Sequence, residues 1–410
     1  MLDAIVVGAG LSGLVCARRL ADAGARIAVV EARDRVGGRL LTGSVGGMRV
    51  DLGGQWMTPG QPRLAQLACE LGVGVEQHDR SGRALVDDRG GLLAAFAQWR
   101  IMRRIEKLMD DLDPELDHRS VAEWFAREVR HGVARERLAL HADLIFATDQ
   151  ASLSLLHYLM TMKATSGFRP QSNEEYRFTG GSQTLALRLA DRLGDRLRLG
   201  EAVTAIAQTD DSIAVETTRL YTAKRAVLAI PPPLVRNIKL ELPPAARSYI
   251  AQAFNGAVVK CYAAYDRAYW RDRGLSGESY QPRGSVRATV ELAPSSGGPA
   301  VLLAFIVGLQ AKRWAMRDPD SRRAEVMAAF APLCRAEPID YLEVDWANDP
   351  WSAGCVPGLP PGALSAGARW RERHGRLHIA GTESATQWPG YMEGAIEAGE
   401  RCASEVLAAL

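Results

Sequence analysis

The chain has 410 residues, 47% hydrophobic and 24% charged, and its 50 Lys+Arg against 48 Asp+Glu leave a net charge of +2. That balance excludes a disordered chain, which needs low hydrophobicity and a large charge surplus. It also argues against nucleic acid as a partner, because phosphate neutralisation needs clustered positive charge. At roughly 150 residues per domain, two or three domains or one large fold with an inserted module are expected. Six cysteines, at 16, 69, 261, 334, 355 and 402, form no Cys-x-x-Cys pair. No metal site or dithiol pair is therefore expected, and the expected setting is the reducing cytoplasm. No apolar run reaches the ~20 residues of a membrane helix, so no membrane partner is expected.

Residues 3–7, DAIVV, have the length and composition of a strand. Gly8, Gly10 and Gly13 follow in GAGLSG, and 11–23 carries an apolar stripe of Leu14, Val15, Ala17 and Leu20 at helical spacing. Gly24 suits the end of that helix. Residues 26–30 read as a second strand closed by Glu31, 18 residues beyond Gly13. A strand, glycine loop, helix, strand and acid in this order make a dinucleotide site. The first glycine allows the turn, the second lets backbone approach a pyrophosphate, and the third lets the helix pack on the strand. The pyrophosphate sits on the helix N-terminus, and the acid reaches the ribose hydroxyls. In EARDRVGGR (31–39), Gly37 and Gly38 permit a turn and Arg39 offers a bidentate donor to the pyrophosphate.

Residues 40–50 suggest a strand pair turned at Gly46-Gly47. In DLGGQWMTPG (51–60), Gly53 and Gly54 let backbone approach a planar ring, while Gln55 and Trp56 supply hydrogen bonds and a wall. Helical patterns then dominate to about residue 165. The stretch 92–112 has Phe96, Trp99, Met102, Ile105 and Met109 at helical spacing, which reads as core. Ser120 and Glu123 form a capping box for 120–129. Residues 178–200 return to α/β character, and 201–217 and 219–230 read as strands ending at three prolines, 231–233, which cannot continue a central strand. Stretches 257–265, 285–292 and 300–309 read as strands of a second sheet, and 320–335 as a helix. A strand at LHIA and a turn at GTE precede a C-terminal helix from Tyr391, whose N-terminus could face an electron-rich ring edge.

Eight segments in order carry a resemblance: VVGAGLSGL, EARDRVGGR, DLGGQWMTPGQPRL, FTGGSQTL, AIPPPL, NGAVVKCYAAYDRAYW, PWSAGCVPGLPPG and AGTESATQWPGYMEGAIEAGER. Together they resemble the flavin-containing monoamine oxidase family, within the amine oxidase/polyamine oxidase superfamily. The resemblance implies an α/β fold: a Rossmann-type FAD-binding domain of the GR2-like flavin amine oxidase kind, with a mixed sheet plus helical substrate domain. The expected division is 1–60, 178–235 and 340–410 for FAD, and 61–177 and 236–339 for substrate. The implied reaction oxidises an amine C–N bond to an imine by hydride transfer to flavin N5. O2 becomes H2O2, and water hydrolyses the imine. The implied partners are a small-molecule amine and O2, in a possible homodimer.

By family position, Gly8, Gly10, Leu11, Ser12, Gly13, Glu31, Ala32 and Arg33 would hold FAD. Gly38, Arg39, Gly54, Gln55, Trp56, Trp346, Glu383, Tyr391 and Met392 would join them, and Val203 would bracket the adenine through its backbone. Lys260 matches a lysine that holds a water near flavin N5; a surface lysine on an edge strand is the plainer alternative. Tyr391 matches one of two parallel aromatic walls, and Val356 stands where the family has the second. Glu174, Phe178, Val356 and Tyr391 would meet substrate, with Glu174 and Glu175 able to bind a second ammonium if they are not surface acids. Cys355 matches a cysteine bonded to flavin in the mammalian branch, but non-covalent FAD is expected here because the neighbouring tyrosine is replaced. A carotenoid or porphyrin desaturase, and a polyamine-specific oxidase, are the alternative functions.

Overall fold

A computed structural model of the chain describes residues 1–165, 175–292 and 299–410. The βαβ start is present: strand Leu2–Val7, helix Leu11–Asp22 and strand Ile27–Val30, with the strands parallel from Ala4–Ile27 to Val7–Val30. The helix lies hard against the loop because Gly13 has no side chain. A Cβ there would sit 2.0 Å from the Gly8 carbonyl oxygen. Gly399 of the C-terminal helix Met392–Leu407 makes the same kind of approach, its would-be Cβ 2.4 Å from the Ser12 carbonyl oxygen.

Leu2–Val7 lies inside an eight-stranded sheet ordered Lys239–Leu240, Ala205–Gln208, Ile213–Glu216, Leu220–Leu228, Leu2–Val7, Ile27–Val30 and Leu197–Arg198. Leu377–Ile379 pairs with the second half of Leu220–Leu228. The central pairs are parallel and buried, which explains their near-continuous Val, Ile and Ala. The expected strand 201–217 is a hairpin whose first strand begins only at Ala205. Lys239–Leu240 extends this sheet past residue 235, where the nucleotide part was expected to end.

The second sheet is ordered Asp340–Asp345, Val258–Tyr265, Ala300–Val307, Val286–Glu291, Leu275–Tyr280 and Arg83–Val86. Asp340–Asp345 was expected with the nucleotide part; its antiparallel pairing with Val258–Tyr265 assigns it to this sheet. The run 300–309 leaves its strand at Val307, and Gly308, at φ +66°, turns it into helix Gly308–Trp314. All eight residues of Val258–Tyr265 are buried. Alternation sends Val259, Cys261, Ala263 and Tyr265 into a core with Trp270, Trp314 and Phe330. Lys260 and Tyr262 therefore face the opposite side.

Helices Gly91–Asp110, Val121–Glu128, Gly132–Phe146 and Leu155–Ala164 pack around Ile105, Phe125, Phe146 and Tyr158. Both hydrogen bonds of the Ser120–Glu123 capping box are present. The apolar stripe on Gly91–Asp110 needs correction. Ile105 and Met109 are core, but Phe96 and Trp99 are 62% and 57% exposed, stacked on each other at 5.7 Å. The buried face runs instead through Ala94, Ile101, Ile105 and Met109. Among the described residues, no helix is long and apolar enough to cross a membrane.

Candidate active site

A cavity of about 700 Å³ runs from the glycine loop to the space between the helical module and the second sheet. At the nucleotide end it is bounded by Gly8, Gly10, Leu11, Ser12, Glu31, Ala32, Arg33 and Val203. Gly8 has φ +101°, and a Cβ there would stand 2.8 Å from the Ala229 carbonyl oxygen. At Gly10 a Cβ would meet nothing within 4 Å, because that side is the cavity itself. The helix N-terminus opens there with no side-chain cap. The Glu31 carboxylate accepts from the backbone N–H of Ala9 (2.7 Å) and of Arg33 (3.0 Å), which fixes it at the end of its strand.

Further along, Gly38, Arg39, Gly54, Gln55, Trp346, Cys355 and Met392 line the cavity. Arg39 donates to the Cys355 carbonyl (2.6 Å) and to Glu383 Oε1 (2.7 Å). Lys260 stands at the centre. Its Nζ donates to the carbonyls of Asp51 (3.3 Å) and Gly53 (2.8 Å) and to Gln55 Oε1 (2.5 Å). It is 4% exposed and lies on a strand paired on both sides, so it is no edge-strand surface lysine. Burial lifts the Asp51 carboxyl above its usual range, although Thr42, Ser182 and the nearby Lys260 charge oppose the shift.

The front compartment begins where the Lys260 ammonium lies 5.9 Å from the Trp56 ring and 5.4 Å from the Phe305 ring. Trp56 Nε1 donates to His78 Nδ1 (3.4 Å), and burial pushes that imidazole down to about 4, so it is neutral and able to accept. Tyr391 and Val356 are both cavity walls. Tyr391 caps the C-terminal helix and is backed edge-on by Trp388 at 5.3 Å and 81°. Leu144, Ile145, Ala288 and Val290 make an apolar lining, interrupted by Arg80, His141 and Tyr280.

The sequence reading did not single out the residues of this apolar lining or its three polar interruptions. Of its site residues, Glu174 lies outside the described residues. Phe178 is a correction: it does not line the cavity but closes a core with Met57, Leu64 and Val73, on the buried side of strand Tyr176–Phe178. Gly13 and Glu383 are not lining residues themselves, but Gly13 packs on Gly8 and Glu383 pairs with Arg39, both of which are. Trp351 lines the cavity and Trp346 donates to the Leu52 carbonyl (2.8 Å), but the ring set against Tyr391 is Trp388.

Residues 11–407 match the family described as flavin containing amine oxidoreductase. The chain belongs to that family. It is 31% identical to guinea-pig (Cavia porcellus) amine oxidase [flavin-containing] B and to dog (Canis lupus familiaris) amine oxidase [flavin-containing] A, over all of this chain and 86% of each relative. Wild-type putrescine oxidase bound to putrescine superimposes with a TM-score of 0.94 at 26% identity, covering 99% of both chains. Cyclohexylamine oxidase from Brevibacterium oxydans IH-35A superimposes with a TM-score of 0.93 at 27% identity, covering 100% of this chain and 99% of that one. As a flavin amine oxidase, the chain uses FAD, a small-molecule amine and O2. The desaturase alternative is not favoured. The cavity suits this flavin amine oxidase's cofactor. Beside the glycine cradle, Glu383 Oε2 and Gln55 Nε2 are buried polar atoms with no hydrogen-bond partner among the described residues, as expected where a polar cofactor completes the hydrogen bonding.

Proposed function

We propose that this amine oxidase acts on a monoamine with an apolar aryl or alkyl body, seated in the front compartment beyond Lys260. The observation that carries this reading is the position of the buried Lys260 ammonium, at the junction between the glycine-lined arm and the aromatic compartment. FAD, when bound, supplies the electron acceptor for the amine's α C–H and returns the electrons to O2 as H2O2.

Glu31 would hold the ribose hydroxyls, and the backbone of Gly8, Gly10, Leu11 and Ser12 the pyrophosphate. Ala32, Arg33, Gly38 and Gly54 give close walls, and Val203 brackets the adenine. Arg39 and Glu383, paired at 2.7 Å, present a donor and a carboxylate oxygen to the polar middle of the cofactor. Gln55, Trp346 and Met392 bound its ring. Tyr391, with Trp56 and Phe305, orients the amine, while Val356 leaves the facing wall small. Lys260 holds positive charge beside the site where O2 accepts electrons, and preorganised charge of this kind stabilises developing negative charge. The amine must present a free lone pair. A desolvating compartment lowers the pKa of a bound ammonium, so the chain favours the neutral form without a dedicated base.

FAD binding is assigned to 1–60, 178–240 and 346–410, with the remainder forming the substrate part. Six free cysteines suit a cytoplasmic setting, and a homodimer is the proposed assembly. The test is H2O2 release over primary, secondary and aromatic amines and diamines, with Lys260→Met in parallel. Aryl or alkyl monoamines should lead the panel, and Lys260→Met should slow reoxidation by O2 more than reduction by amine. A diamine leading the panel would overturn the substrate class, and equal slowing of both steps would remove Lys260 from the O2 step.

A further inference from the structure

With Val356 leaving the facing wall small, the placement of the amine falls largely to the ring of Tyr391, and that ring depends on what stands behind it. Trp388 stands there. It is 5% exposed and takes no part in the described cavity wall, yet its ring meets that of Tyr391 edge-on at 5.3 Å and 81°. An edge-to-face contact between aromatic rings has a preferred geometry, so it fixes orientation as well as distance.

The backbone of Trp388 is itself held from three directions. Its φ is +53°, a conformation that a bulky residue keeps only where its surroundings impose it. Its N–H donates to the carbonyl of Ala164 (3.1 Å), the last residue of helix Leu155–Ala164. Its carbonyl accepts from the Tyr391 N–H (3.1 Å), closing a turn with Pro389 in second place and Gly390, at φ +88°, in third. The same carbonyl is pressed against the C-terminal helix at Gly394, where a Cβ would stand 2.3 Å from it. Helix Leu155–Ala164 begins beside the opposite wall: the Ser154 N–H donates to the Leu359 carbonyl (2.9 Å), and His157 Nε2 lies 3.4 Å from the carbonyl of Pro357, the neighbour of Val356. One helix of the helical module thus reaches behind both walls, and at its far end Trp388 is the link to Tyr391.

We propose that Trp388 is a positioning residue for amine oxidation: anchored to helix Leu155–Ala164, its ring sets the tilt of Tyr391 and, through it, the approach of the amine's α C–H. The proposal rests on the reading of Tyr391 as the wall that orients the amine. Unchanged rates in Tyr391→Ala would sink that reading, whereas slow Tyr391→Ala with Trp388 variants that fail the pattern below would sink this proposal alone.

The measurement is the rate of flavin reduction in anaerobic stopped flow, with whichever of benzylamine, hexylamine and putrescine the wild type oxidises fastest. Trp388→Leu should keep its flavin but lower the rate at saturating amine roughly 10- to 50-fold, since a misplacement of about 1 Å can cost on the order of 100-fold. The amine's dissociation constant, from the same concentration series, should move far less, because aim is lost and contact is not. Trp388→Phe, which keeps a ring, should stay within about threefold of wild type. Trp388→Gly adopts the left-handed backbone without strain but has no ring, so it should fall with Trp388→Leu. In a Tyr391→Ala background, Trp388→Leu should cost less than about twofold more, because the ring it positions is already gone. A residue that merely fills space would give losses that multiply in the double variant. Multiplying losses, or Trp388→Gly as fast as wild type, would overturn the proposal. Should Trp388→Leu not fold, Trp388→Gly replaces it in both backgrounds.

Discussion

At its nucleotide end the cavity is walled by backbone. Gly8, Gly10 and Gly13 bring main chain within reach of a ligand, and a Cβ at Gly13 would stand 2.0 Å from a carbonyl oxygen. At its front end it is walled by side chains from helix Gly132–Phe146, strands Leu275–Tyr280, Val286–Glu291 and Ala300–Val307, and the Trp56 and Arg80 segments. Backbone walls have no rotamers and leave no room for substitution. Side-chain walls can exchange one apolar residue for another at modest cost. One end therefore holds an invariant cofactor tightly, and the other is free to specify a substrate.

That contrast breaks most visibly at Gly13. Gly13→Leu should yield protein without FAD, measured as visible flavin absorbance per chain after purification. Full flavin retention would mean that the close helix packing is not what holds the loop. Tyr391 probes the front end. Tyr391→Ala should lower kcat/KM on the order of 100-fold through misplacement of the amine, while Tyr391→Phe stays within a few-fold. Both should keep normal flavin content, since the wall they alter is a side chain. Equal losses would assign the role to the hydroxyl instead of the ring.

A subtler probe is pH. Free alkylamines have a pKa of roughly 10.4 and are protonated at neutral pH. The rate of flavin reduction should rise with pH through one ionisation belonging to the bound amine. Burial has pushed the His141 imidazole down to about 4, so it is neutral across that range. Two amines of different solution pKa should shift the profile by their difference, and a profile that stays fixed would mean that a protein group titrates.

The smallest effect is expected at Cys355, which lies on the boundary between the two regions. Burial pushes its thiol above the usual range, against the nearby charges of Arg39 and Lys260. That disfavours the thiolate, the form that bonds. Acid precipitation should release flavin into the supernatant from both wild type and Cys355→Ala, with activity within a few-fold. Colour staying in the wild-type pellet and leaving in Cys355→Ala would reverse this.

The nucleotide end was legible in the sequence because backbone geometry demands particular residues at particular spacings. Three glycines and Glu31 have few reasons to recur in that order. Lys260 was legible through its resemblance, and its setting on a doubly paired strand adds the physical reason it is buried. The front end was not legible. Leu144, Ile145, Ala288 and Val290 look like any core residues, and the fold brings them together across more than 140 positions. Phe178 followed the reverse course, an aromatic assigned to substrate that the alternation of its strand turns into the core. Phe96 and Trp99 show the limit of periodicity: it finds an apolar face but does not say what lies against it.

The exposed Trp99 also stands apart in the light emission of this molecule from the cavity tryptophans and from the five buried elsewhere. Of nine tryptophans, Trp56, Trp346 and Trp351 line the cavity, where a bound flavin would drain their excited states by energy transfer. Trp99 sits on the outer face of a helix that contributes no residue to the cavity wall. Its ring is open to a collisional quencher such as acrylamide whether or not the cofactor is present. Loading the apoprotein with FAD should therefore dim the cavity tryptophans, the half-exposed Trp351 among them, and leave Trp99 as the quenchable emitter outside the cavity, an internal reference for cofactor occupancy that needs no added label.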